Sequence, residues 1–352
     1  MISFSRTARS GEARAGHLRT PHGDVATPAF MPVGTQATVK GLTPADLRGC
    51  GATIVLCNTY HLMLRPGVES IRAAGGLHRF MAWDGPILTD SGGYQVFSLG
   101  PLVRIDDQQA VFRSHVDGST WHLSPERAVE LQAAFGVDIA MALDQCPAGD
   151  APADAVAEAT ARTTRWAERS LLARPAGQAL FGIVQGGADL ELRLQHAATI
   201  GAMPFDGVAL GGLAVGEPPE QTRAMIERIA PRLPDDRPRY LMGLGTPEDI
   251  TFAVRAGFDL FDCVIPTREA RHGQLYTSQG RLHIGNARFK DDPAPVDPAC
   301  GCETCATFSR AYLRHLWKTR EVLWQRLATL HNLRFFLDHL ERLRAEIVAS
   351  GR

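Results

Sequence analysis

The sequence predicts an α/β fold, a (β/α)8 barrel, because eight short apolar runs divide its first three quarters. Buried parallel strands have this continuous apolar character, without the alternation of half-exposed strands. A segment long enough for a crossover helix separates most neighbouring runs. The runs are residues 27–33, 53–58, 86–90, 139–144, 180–185, 207–212, 239–244 and 260–265.

The ends of these runs carry a further observation. Five of them end on a polar or ionisable residue or on a glycine pair, a sixth contains Asp262, and the carboxyl ends of barrel strands form the active face. A single aspartate at a strand end is also a common turn or helix-cap residue. A ring of six favours one shared pocket, formed by Asn58, Asp90, Asp144, Gln185, Gly212 and Asp262.

Length and composition agree with a barrel enlarged by insertions. The chain has 352 residues, 45% of them hydrophobic, whereas a barrel alone takes roughly 250 residues. The opening residues lack the apolar core of a signal peptide, and no window approaches the ~18 apolar residues of a membrane span. We therefore expect a cytoplasmic protein without a membrane partner.

Charge is unevenly distributed along the chain. The net charge is only −1, but residues 264–352 carry 14 Lys and Arg against 9 Asp and Glu. A basic C-terminal part is a modest indication that the protein binds a polyanion. The alternative is a solvated helical surface that is rich in arginine.

Three closely spaced cysteines and one histidine form the strongest local motif. Cys300, Cys302 and Cys305 are followed by His331, after 25 intervening residues. Three thiolates and one imidazole make a closed tetrahedral set for Zn²⁺, with no position left for water. The alternative is a group of unpaired surface cysteines, since an odd total of seven disfavours a disulfide framework. The sequence therefore predicts one structural zinc ion per chain.

An insertion of about 30 residues is predicted between Asp90 and the next barrel helix. It contains a candidate hairpin around residues 116–119, close to the active face. The helix that follows has Ser124 as its N-cap and closes at Gly136.

A second insertion, residues 267–331, holds the metal motif. The amphipathic stretch 332–347 that follows would be the eighth barrel helix. The predicted architecture is thus a catalytic barrel, residues 1–266 and 332–352, with a zinc-binding subdomain, residues 267–331, inserted near the C-terminus.

Two strand-end aspartates can perform a double displacement. One carboxylate attacks an anomeric carbon while another carboxyl group manages the proton of the leaving group, with roughly 5 Å between the pair. Asp262 and Asp90 fit these roles. The fold and this pair together predict a barrel enzyme that uses two carboxylates.

Residues near this pair suggest a planar substrate. Tyr94 and Met242 offer flat or polarisable surfaces between which a base could be sandwiched. Asp144, Gln185 and the backbone of Gly212 would supply the donor and acceptor pattern of a guanine edge.

Seven longer motifs extend this interpretation. They are TPAFMPVGT (27–35), NTYHLMLRPG (58–67), LTDSGGYQV (88–96), FGIVQG (181–186), GGLAVGE (211–217), YLMGLG (240–245) and FDCVIPTR (261–268). Together with the Cys3His set they resemble tRNA-guanine transglycosylases of the bacterial type, in order and spacing, from about Phe4 to the C-terminus. The resemblance implies a TIM barrel with a zinc subdomain. It also implies a pentosyl transfer in queuosine biosynthesis, in which a 7-deazaguanine, expected to be preQ1, replaces guanine at the wobble position of GUN anticodons through a covalent enzyme–RNA intermediate.

The resemblance also implies a role for each matching residue. Asp262 would be the nucleophile, and Asp90 the general acid and base. Arg268 and Arg271 would contact the tRNA. The implied substrate-binding residues are Asn58, Ser91, Tyr94, Gln95, Asp144, Cys146, Gln185, Gly212, Leu213, Ala214, Glu217 and Met242.

Some of these residues would act through others. Asn58 and Gln95 would hold the Asp90 side chain, and Glu217 would steady the Leu213–Ala214 peptide in either orientation. No redox or nucleotide cofactor is needed for this reaction.

The same resemblance implies a homodimer that forms through the zinc subdomain and an aromatic cluster. The matching positions are Phe80, Phe308, Tyr312 and His315. Tyr312 and His315 are spaced as neighbours on a helix face. The alternative is that these side chains pack within their own subunit.

A few positions depart from the family pattern. Gln145 stands where the family usually has glutamate, which removes an acidic charge expected beside the base pocket and leaves the choice between preQ1 and queuine open. Val39 and Cys146 nevertheless resemble the bacterial pocket lining. His272 stands where asparagine is common.

Other classes of function are less consistent with the residues. A non-catalytic, zinc-bearing partner subunit would not need both Asp90 and Asp262. A sugar glycosidase would need neither a zinc motif nor a basic flank. A relative that modifies DNA or another tRNA position would usually carry further domains.

Overall fold

The computed structural model describes residues 2–351, without the side chain of Pro101. Met1 and Arg352, the outer limits of the predicted barrel segments, lie outside the described residues. Residues 2–351 form sixteen strands: β1 (Ser3–Ser10), β2 (Ala13–Thr20), β3 (Gly23–Thr27), β4 (Ala29–Gly34), β5 (Val55–Cys57), β6 (Ile87–Thr89), β7 (Val103–Ile105), β8 (Ala110–Arg113), β9 (Thr120–Leu123), β10 (Ile139–Met141), β11 (Ala179–Val184), β12 (Gly207–Leu210), β13 (Arg239–Leu241), β14 (Leu260–Cys263), β15 (Gln274–Thr277) and β16 (Gly280–His283).

Eight of these strands close into one parallel barrel. Their order around the ring is β4, β5, β6, β10, β11, β12, β13 and β14, and β14 pairs with β4 to close it. Each predicted apolar run supplies one barrel strand. The predicted fold class is therefore confirmed, and the carboxyl ends of all eight strands meet at one face.

Helices cover the outside of the barrel, and several begin at side-chain caps. Thr43, Ser124 and Thr246 each accept a backbone N–H bond of the first turn, and each is followed by proline. The helix predicted after Ser124 is confirmed, because it ends at Gly136 in the left-handed conformation. Among the described residues no helix combines the length and apolar content needed to cross a membrane. The helices are α1 (Pro44–Gly49), α2 (Thr59–Leu64), α3 (Val68–Ala73), α4 (Leu77–Met81), α5 (Gly93–Phe97), α6 (Pro125–Phe135), α7 (Ala153–Ala173), α8 (Leu190–Ala202), α9 (Pro219–Ile229), α10 (Pro247–Ala256), α11 (Ile265–Arg271), α12 (Glu303–Thr307), α13 (Arg310–Thr319) and α14 (Val322–Ser350).

A small sheet closes the amino-terminal end of the barrel. Met31, Leu56 and Phe181 are among the buried side chains of the barrel strands, and Leu18 and Val25 of the antiparallel β1–β2–β3 sheet belong to the same apolar cluster. Burial of these apolar groups holds the sheet against the barrel. This end is therefore covered, and the carboxyl ends of the strands provide the open face.

The first insertion forms a separate three-stranded sheet, β7–β8–β9. The predicted hairpin is confirmed, since β8 and β9 pair antiparallel and are joined by residues 114–119. In that turn, Nδ1 of His115 lies 2.7 Å from the hydroxyl of Tyr60, in the helix that follows β5. This contact ties the hairpin to the active face.

The last helix is longer than the amphipathic pattern predicted, because it begins at Val322 rather than at residue 332. Its first part buries Trp324, Leu327 and Leu330. This part packs against α12 of the metal-binding segment, so its apolar surface is wider than one stripe. The division of the chain after residues 266 and 331 stays a prediction, and α14 runs across the second of these boundaries.

Candidate active site and metal cluster

One cavity of about 380 Å³ lies at the carboxyl ends of the barrel strands. All six strand-end residues of the predicted ring contribute to its wall. Ser91 and Glu217, two further predicted residues, lie behind the wall and bond to residues that form it. The predicted residues that line the cavity are Asn58, Asp90, Tyr94, Gln95, Asp144, Cys146, Gln185, Gly212, Leu213, Ala214, Met242 and Asp262.

Asp90 directly follows β6 and is held by three donors. The side-chain amides of Asn58 and Gln95 donate to Oδ2 over 2.6 and 2.9 Å, and the backbone N–H of Thr59 donates to Oδ1 over 2.8 Å. Burial raises the pKa of Asp90 to about 6 against these hydrogen bonds, and the charge of Asp262 contributes to the rise. A carboxyl group with this pKa can take up and release a proton near neutral pH, as a general acid and base must.

Asp262 lies within β14, and both of its donors bond to the same oxygen. The hydroxyl of Tyr240 and the backbone N–H of Gly243 donate to Oδ1 over 2.6 and 2.8 Å. Burial raises the pKa of Asp262, while these two bonds oppose the rise. Oδ2 accepts no hydrogen bond from the described residues and is left as the oxygen able to attack an electrophile.

Asp144 and Gln185 lie together at the ends of β10 and β11. Nε2 of Gln185 donates to Oδ2 of Asp144 over 2.7 Å, and the hydroxyl of Ser91 donates to Oδ1 over 3.2 Å. Burial raises the pKa of Asp144 to about 6 against these bonds. Oε1 of Gln185 is buried without a hydrogen-bond partner among the described residues, so it is an acceptor available to a bound molecule.

Gly212 forms a wall of the cavity that only glycine can form. Its φ is 62°, and a Cβ atom would lie 2.3 Å from Oε1 of Gln185. The buried guanidinium of Arg193 supports this wall, because it donates to the carbonyl oxygens of Gly187, Gly211 and Gly212 over 2.6, 2.9 and 2.6 Å. Burial lowers the pKa of Arg193 to about 10, so this group stays charged at neutral pH.

Glu217 fixes the peptide that joins Leu213 and Ala214. It accepts hydrogen bonds from the backbone N–H groups of Ala214 and Val215 over 2.5 and 3.0 Å and from the hydroxyl of Thr222 over 2.8 Å. Because the N–H and C=O of a trans peptide point in opposite directions, the carbonyl oxygen of Leu213 faces away from Glu217. Burial opposes ionisation, but these hydrogen bonds keep the pKa of Glu217 below its ordinary value.

Two side chains of the cavity offer surfaces for a planar ring. Tyr94, at the start of α5, is 58% exposed although it belongs to the cavity wall. Met242 follows β13 and also lines the cavity. An exposed aromatic ring at a cavity mouth is available for stacking with a flat ligand.

Gln145 does not line the cavity, although its neighbours Asp144 and Cys146 do. Its amide oxygen accepts a hydrogen bond from Nη1 of Arg162 over 2.7 Å. The side chain at this position is therefore directed at α7, and not at the pocket as the sequence suggested. Val39 is buried and is likewise absent from the cavity wall.

Arg268 and Arg271 lie on α11, directly after the strand that carries Asp262. Arg268 is exposed, whereas Arg271 is half-buried and donates to the carbonyl oxygen of Thr267 over 2.8 Å. His272 is exposed, and its Nδ1 lies 2.7 Å from the carbonyl oxygen of Arg268. Arg268 and His272 share a surface depression of about 410 Å³ with Arg281 and His283. This surface joins cationic and titratable groups next to the barrel mouth.

The three predicted cysteines and His331 come together as a cluster that could bind a metal ion. Their ligand atoms all lie within 4.8 Å of one another. Nδ1 of His331 lies 3.2 Å from Sγ of Cys305 and 3.6 Å from Sγ of Cys302. Nε2 of His331 lies 2.7 Å from the carbonyl oxygen of Tyr276, which places the ring proton there and leaves Nδ1 free for a metal. The donor set and the tautomer therefore fit a closed tetrahedral site.

Some of the residues that were predicted to form a dimer contact lie near this cluster. Phe308 and Tyr312 stack with ring centroids 5.4 Å apart, and Tyr312 is 41% exposed. His315 and Phe80 are also exposed.

Three supporting residues of the site were not predicted from the sequence. Tyr240 lies within a predicted strand. It could have been identified because a buried tyrosine hydroxyl needs a hydrogen-bond partner. Thr59 acts through its backbone N–H, which no side-chain pattern reveals. Arg193 gave no signal, because an arginine on a helix ordinarily faces solvent.

Comparison with known proteins indicates one family. The sequence model of the family described as Queuine tRNA-ribosyltransferase matches residues 9–351. The chain is 54% identical to the Queuine tRNA-ribosyltransferase of Sorangium cellulosum over 352 residues, which cover 100% of this chain and 89% of the relative. It is 52% identical to that of Herpetosiphon aurantiacus, over 99% of this chain and 90% of the relative. It is 51% identical to that of Cereibacter sphaeroides, over 100% of this chain and 94% of the relative.

Proposed function

The chain belongs to the queuine tRNA-ribosyltransferase family, and we propose that it replaces guanine at the wobble position of GUN-anticodon tRNAs with a 7-deazaguanine. The reaction is a double displacement through a covalent enzyme–RNA intermediate, and the incoming base is preQ1, which carries an aminomethyl group. The observation that carries the proposal is the shared cavity of Asp90 and Asp262, next to unsatisfied polar groups suited to a base edge.

The base is recognised by its edge and by its faces. The carboxylate of Asp144 and the free Oε1 of Gln185 accept from the N–H groups of guanine, and the backbone at Gly212 contacts its carbonyl edge. Tyr94 and Met242 cover the faces of the ring. A wobble nucleotide must leave its stack to enter such a cavity. The contacts to the edge and faces of the base together offset the free-energy cost of this unstacking.

In the first displacement, Oδ2 of Asp262 forms a bond with the ribose C1′ as the bond between C1′ and guanine N9 breaks. The bonding electrons leave with guanine, and Asp90 supplies the proton that the departing base needs. Tyr240 and Gly243 hold the other oxygen of Asp262, so the attacking oxygen keeps a fixed direction.

In the second displacement, the incoming base attacks the same carbon atom. Asp90 takes the proton from its ring nitrogen, a bond forms between that nitrogen and C1′, and the ester bond to Asp262 breaks. Asp262 and Asp90 return to their starting states, so the exchange needs no oxidant, reductant or nucleotide.

The peptide between Leu213 and Ala214 supports preQ1 as the incoming base. With its N–H bonded to Glu217, the peptide directs the Leu213 carbonyl oxygen away from Glu217, as an acceptor for the ammonium group of preQ1. The side chain of Gln145 lies outside the cavity, so the loss of an acidic residue there leaves this acceptor in place.

The tRNA is held by cationic groups outside the cavity. Arg268 and Arg271 contact phosphates of the anticodon loop. Cys300, Cys302, Cys305 and His331 would hold one structural Zn²⁺, which orders the segment that follows α11. The chain acts as a homodimer, with Phe308 and Tyr312 at the contact. Because the substrate is tRNA, the cytoplasm is the proposed location.

Exchange of radiolabelled guanine into an anticodon stem-loop tests the proposal. A stem-loop with G at the wobble position of a GUN anticodon should take up label, and the same stem-loop with A at that position should not. Unlabelled preQ1 should then displace the label irreversibly and more efficiently than queuine.

Absence of exchange with the GUN stem-loop would contradict the proposed reaction. More efficient displacement by queuine would retain the reaction and reject preQ1 as the preferred base.

A further inference from the structure

A second cluster of metal-binding side chains lies at the end of the barrel opposite the cavity. Asp138 immediately precedes β10, and His78 is part of α4. His22 lies in the turn between β2 and β3, the sheet that covers this end of the barrel. One ligand atom from each of the three residues lies within 4.8 Å of the other two.

Both imidazole rings bond to the carboxylate of Asp138. Nδ1 of His22 lies 2.8 Å from Oδ1, and Nε2 of His78 lies 3.2 Å from Oδ2. The backbone N–H groups of His22 and Ile87 donate to Oδ1 and Oδ2 over 3.3 and 2.9 Å. These backbone bonds fix the orientation of the carboxylate independently of the imidazole rings.

Among the described residues, no lysine or arginine forms an ion pair with Asp138. Its side chain is fully buried, and among the described residues its ion-pair partners are only the imidazoles of His22 and His78. The two rings stack with centroids 3.7 Å apart. Burial opposes its ionisation, but the hydrogen bonds from the two histidines and from Ile87 keep the pKa of Asp138 below its ordinary value. The buried carboxylate is therefore a charged ligand next to two imidazole nitrogens.

We propose that His22, His78 and Asp138 form a second metal site, which binds a divalent transition ion such as Zn²⁺ with water in the remaining position. Two imidazoles and one carboxylate suit zinc and its neighbours in the first transition row, and the set leaves one tetrahedral position open. Ligand atoms around a tetrahedral zinc ion lie roughly 3.2–3.5 Å apart. The separation of 3.2 Å lies within this range, and that of 2.8 Å lies just below it. The two rings stack at an interplanar angle of 20°, so they must turn apart for both nitrogens to face one ion.

Proton balance and access are compatible with this site. An imidazole binds a metal through a ring nitrogen that carries no proton, so each ring would hold its proton on the nitrogen that faces away from the ion. The His22 side chain is 40% exposed, which gives an ion a path from solvent to Asp138. The backbone donors to Asp138 stay in place when the metal replaces the ring protons.

Metal binding would stabilise the folded arrangement of these segments. His22, His78 and Asp138 belong to three segments that are distant in sequence, and one ion would link the covering sheet to the barrel. Because the site requires the folded arrangement, metal binding would raise the thermal unfolding midpoint. The site shares no residue with the Cys3His cluster.

Metal stoichiometry tests this proposal. The full-length protein is dialysed to equilibrium against micromolar free Zn²⁺ and the bound zinc is counted for wild type and for His22→Ala, a change at a partly exposed turn. We expect the wild type to bind one zinc ion more per chain than His22→Ala, and His78→Gln to behave like His22→Ala. His17→Ala is the matched control, because His17 is an exposed residue of the same sheet outside the cluster, and it should keep the wild-type count.

The comparison of variants separates this site from the Cys3His cluster. Cys302→Ser should lose one ion and keep the one that His22→Ala lacks. Zn²⁺ should raise the unfolding midpoint of the wild type more than that of His22→Ala. Equal zinc counts and equal midpoint shifts in the wild type and His22→Ala would overturn the proposal and leave a hydrogen-bonded histidine–aspartate cluster.

Discussion

The hydroxyl of Tyr240 donates a 2.6 Å hydrogen bond to Oδ1 of Asp262 from the neighbouring barrel strand. The two side chains lie on β13 and β14, so the rigid barrel sets their distance. Burial raises the pKa of Asp262, and this bond is the largest influence that opposes the rise. Tyr240 therefore both directs the carboxylate and favours its ionised form.

Removal of this hydroxyl should slow the reaction without abolishing it. We expect Tyr240→Phe to lower kcat about tenfold, which corresponds to the loss of roughly 1.4 kcal/mol from one hydrogen bond to a charged group. The pKa of Asp262 should rise further, so the acidic limb of the pH–rate profile should move to higher pH. Steady-state kinetics of guanine exchange across pH would measure both effects.

Asp262→Asn is the matched control for this prediction. It should abolish exchange and the denaturant-stable RNA adduct, because an amide oxygen is a poor nucleophile. An adduct that survives in Asp262→Asn would remove Asp262 from the role of nucleophile.

Stability should depend on pH through the buried carboxyl group of Asp144. Burial raises its pKa from 3.8 to about 6, so between about pH 4 and pH 6 the native state binds more protons than the unfolded state. The free energy of unfolding should therefore fall as pH rises through this window, by up to about 3 kcal/mol from this group. Urea unfolding at both ends of the window should show a smaller fall for Asp144→Asn. The exposed Asp150 provides the control, since Asp150→Asn should keep the wild-type slope.

The metal cluster should contribute to folding. Cys302→Ser should lower the bound zinc by one ion per chain and lower the thermal unfolding midpoint, because binding free energy at a closed site is folding free energy. Atomic absorption and calorimetry would measure the two quantities. Cys146→Ser, a change at a thiol outside the cluster, should keep the full metal content. Unchanged zinc content and stability in Cys302→Ser would refute a structural site.

Phosphate binding should appear in the salt dependence of RNA affinity. Arg268→Ala and Arg271→Ala should each raise KM for tRNA and reduce the slope of log affinity against log salt by about 1, because each variant leaves one phosphate without its cation. The affinity for the free base should stay the same. Arg232→Ala, at an exposed position elsewhere, is the control. A salt slope that is unchanged in both variants would argue against these phosphate interactions.

Assembly should depend on the exposed aromatic residues near the metal cluster. We expect the wild type to sediment as a dimer, and Tyr312→Ala to weaken both association and tRNA turnover, because the change removes an exposed ring that stacks on Phe308. Leu172, which is 88% exposed on α7, gives a matched control, and Leu172→Ala should remain dimeric. A wild-type monomer with full turnover at micromolar concentration would exclude the dimer as the active form.

The barrel and most of the cavity wall could be predicted from the amino-acid sequence. Buried parallel strands need continuous apolar runs, and the fold brings their carboxyl ends together, so the position of Asp90 or Asp262 in a run already assigned it to one face. The spacing of Cys300, Cys302 and Cys305 likewise identified one loop as a ligand set, because these ligands are close in sequence. Both inferences rest on local patterns.

The groups that support these residues depend on tertiary structure. Tyr240 reaches Asp262 across 22 residues, and His22 reaches Asp138 across 116 residues. The orientation of Gln145 towards Arg162 and the start of α14 at Val322 also follow from packing between distant segments. Sequence patterns record whether a residue prefers burial, but a hydrogen-bond partner is chosen by the packing of elements that are remote along the chain.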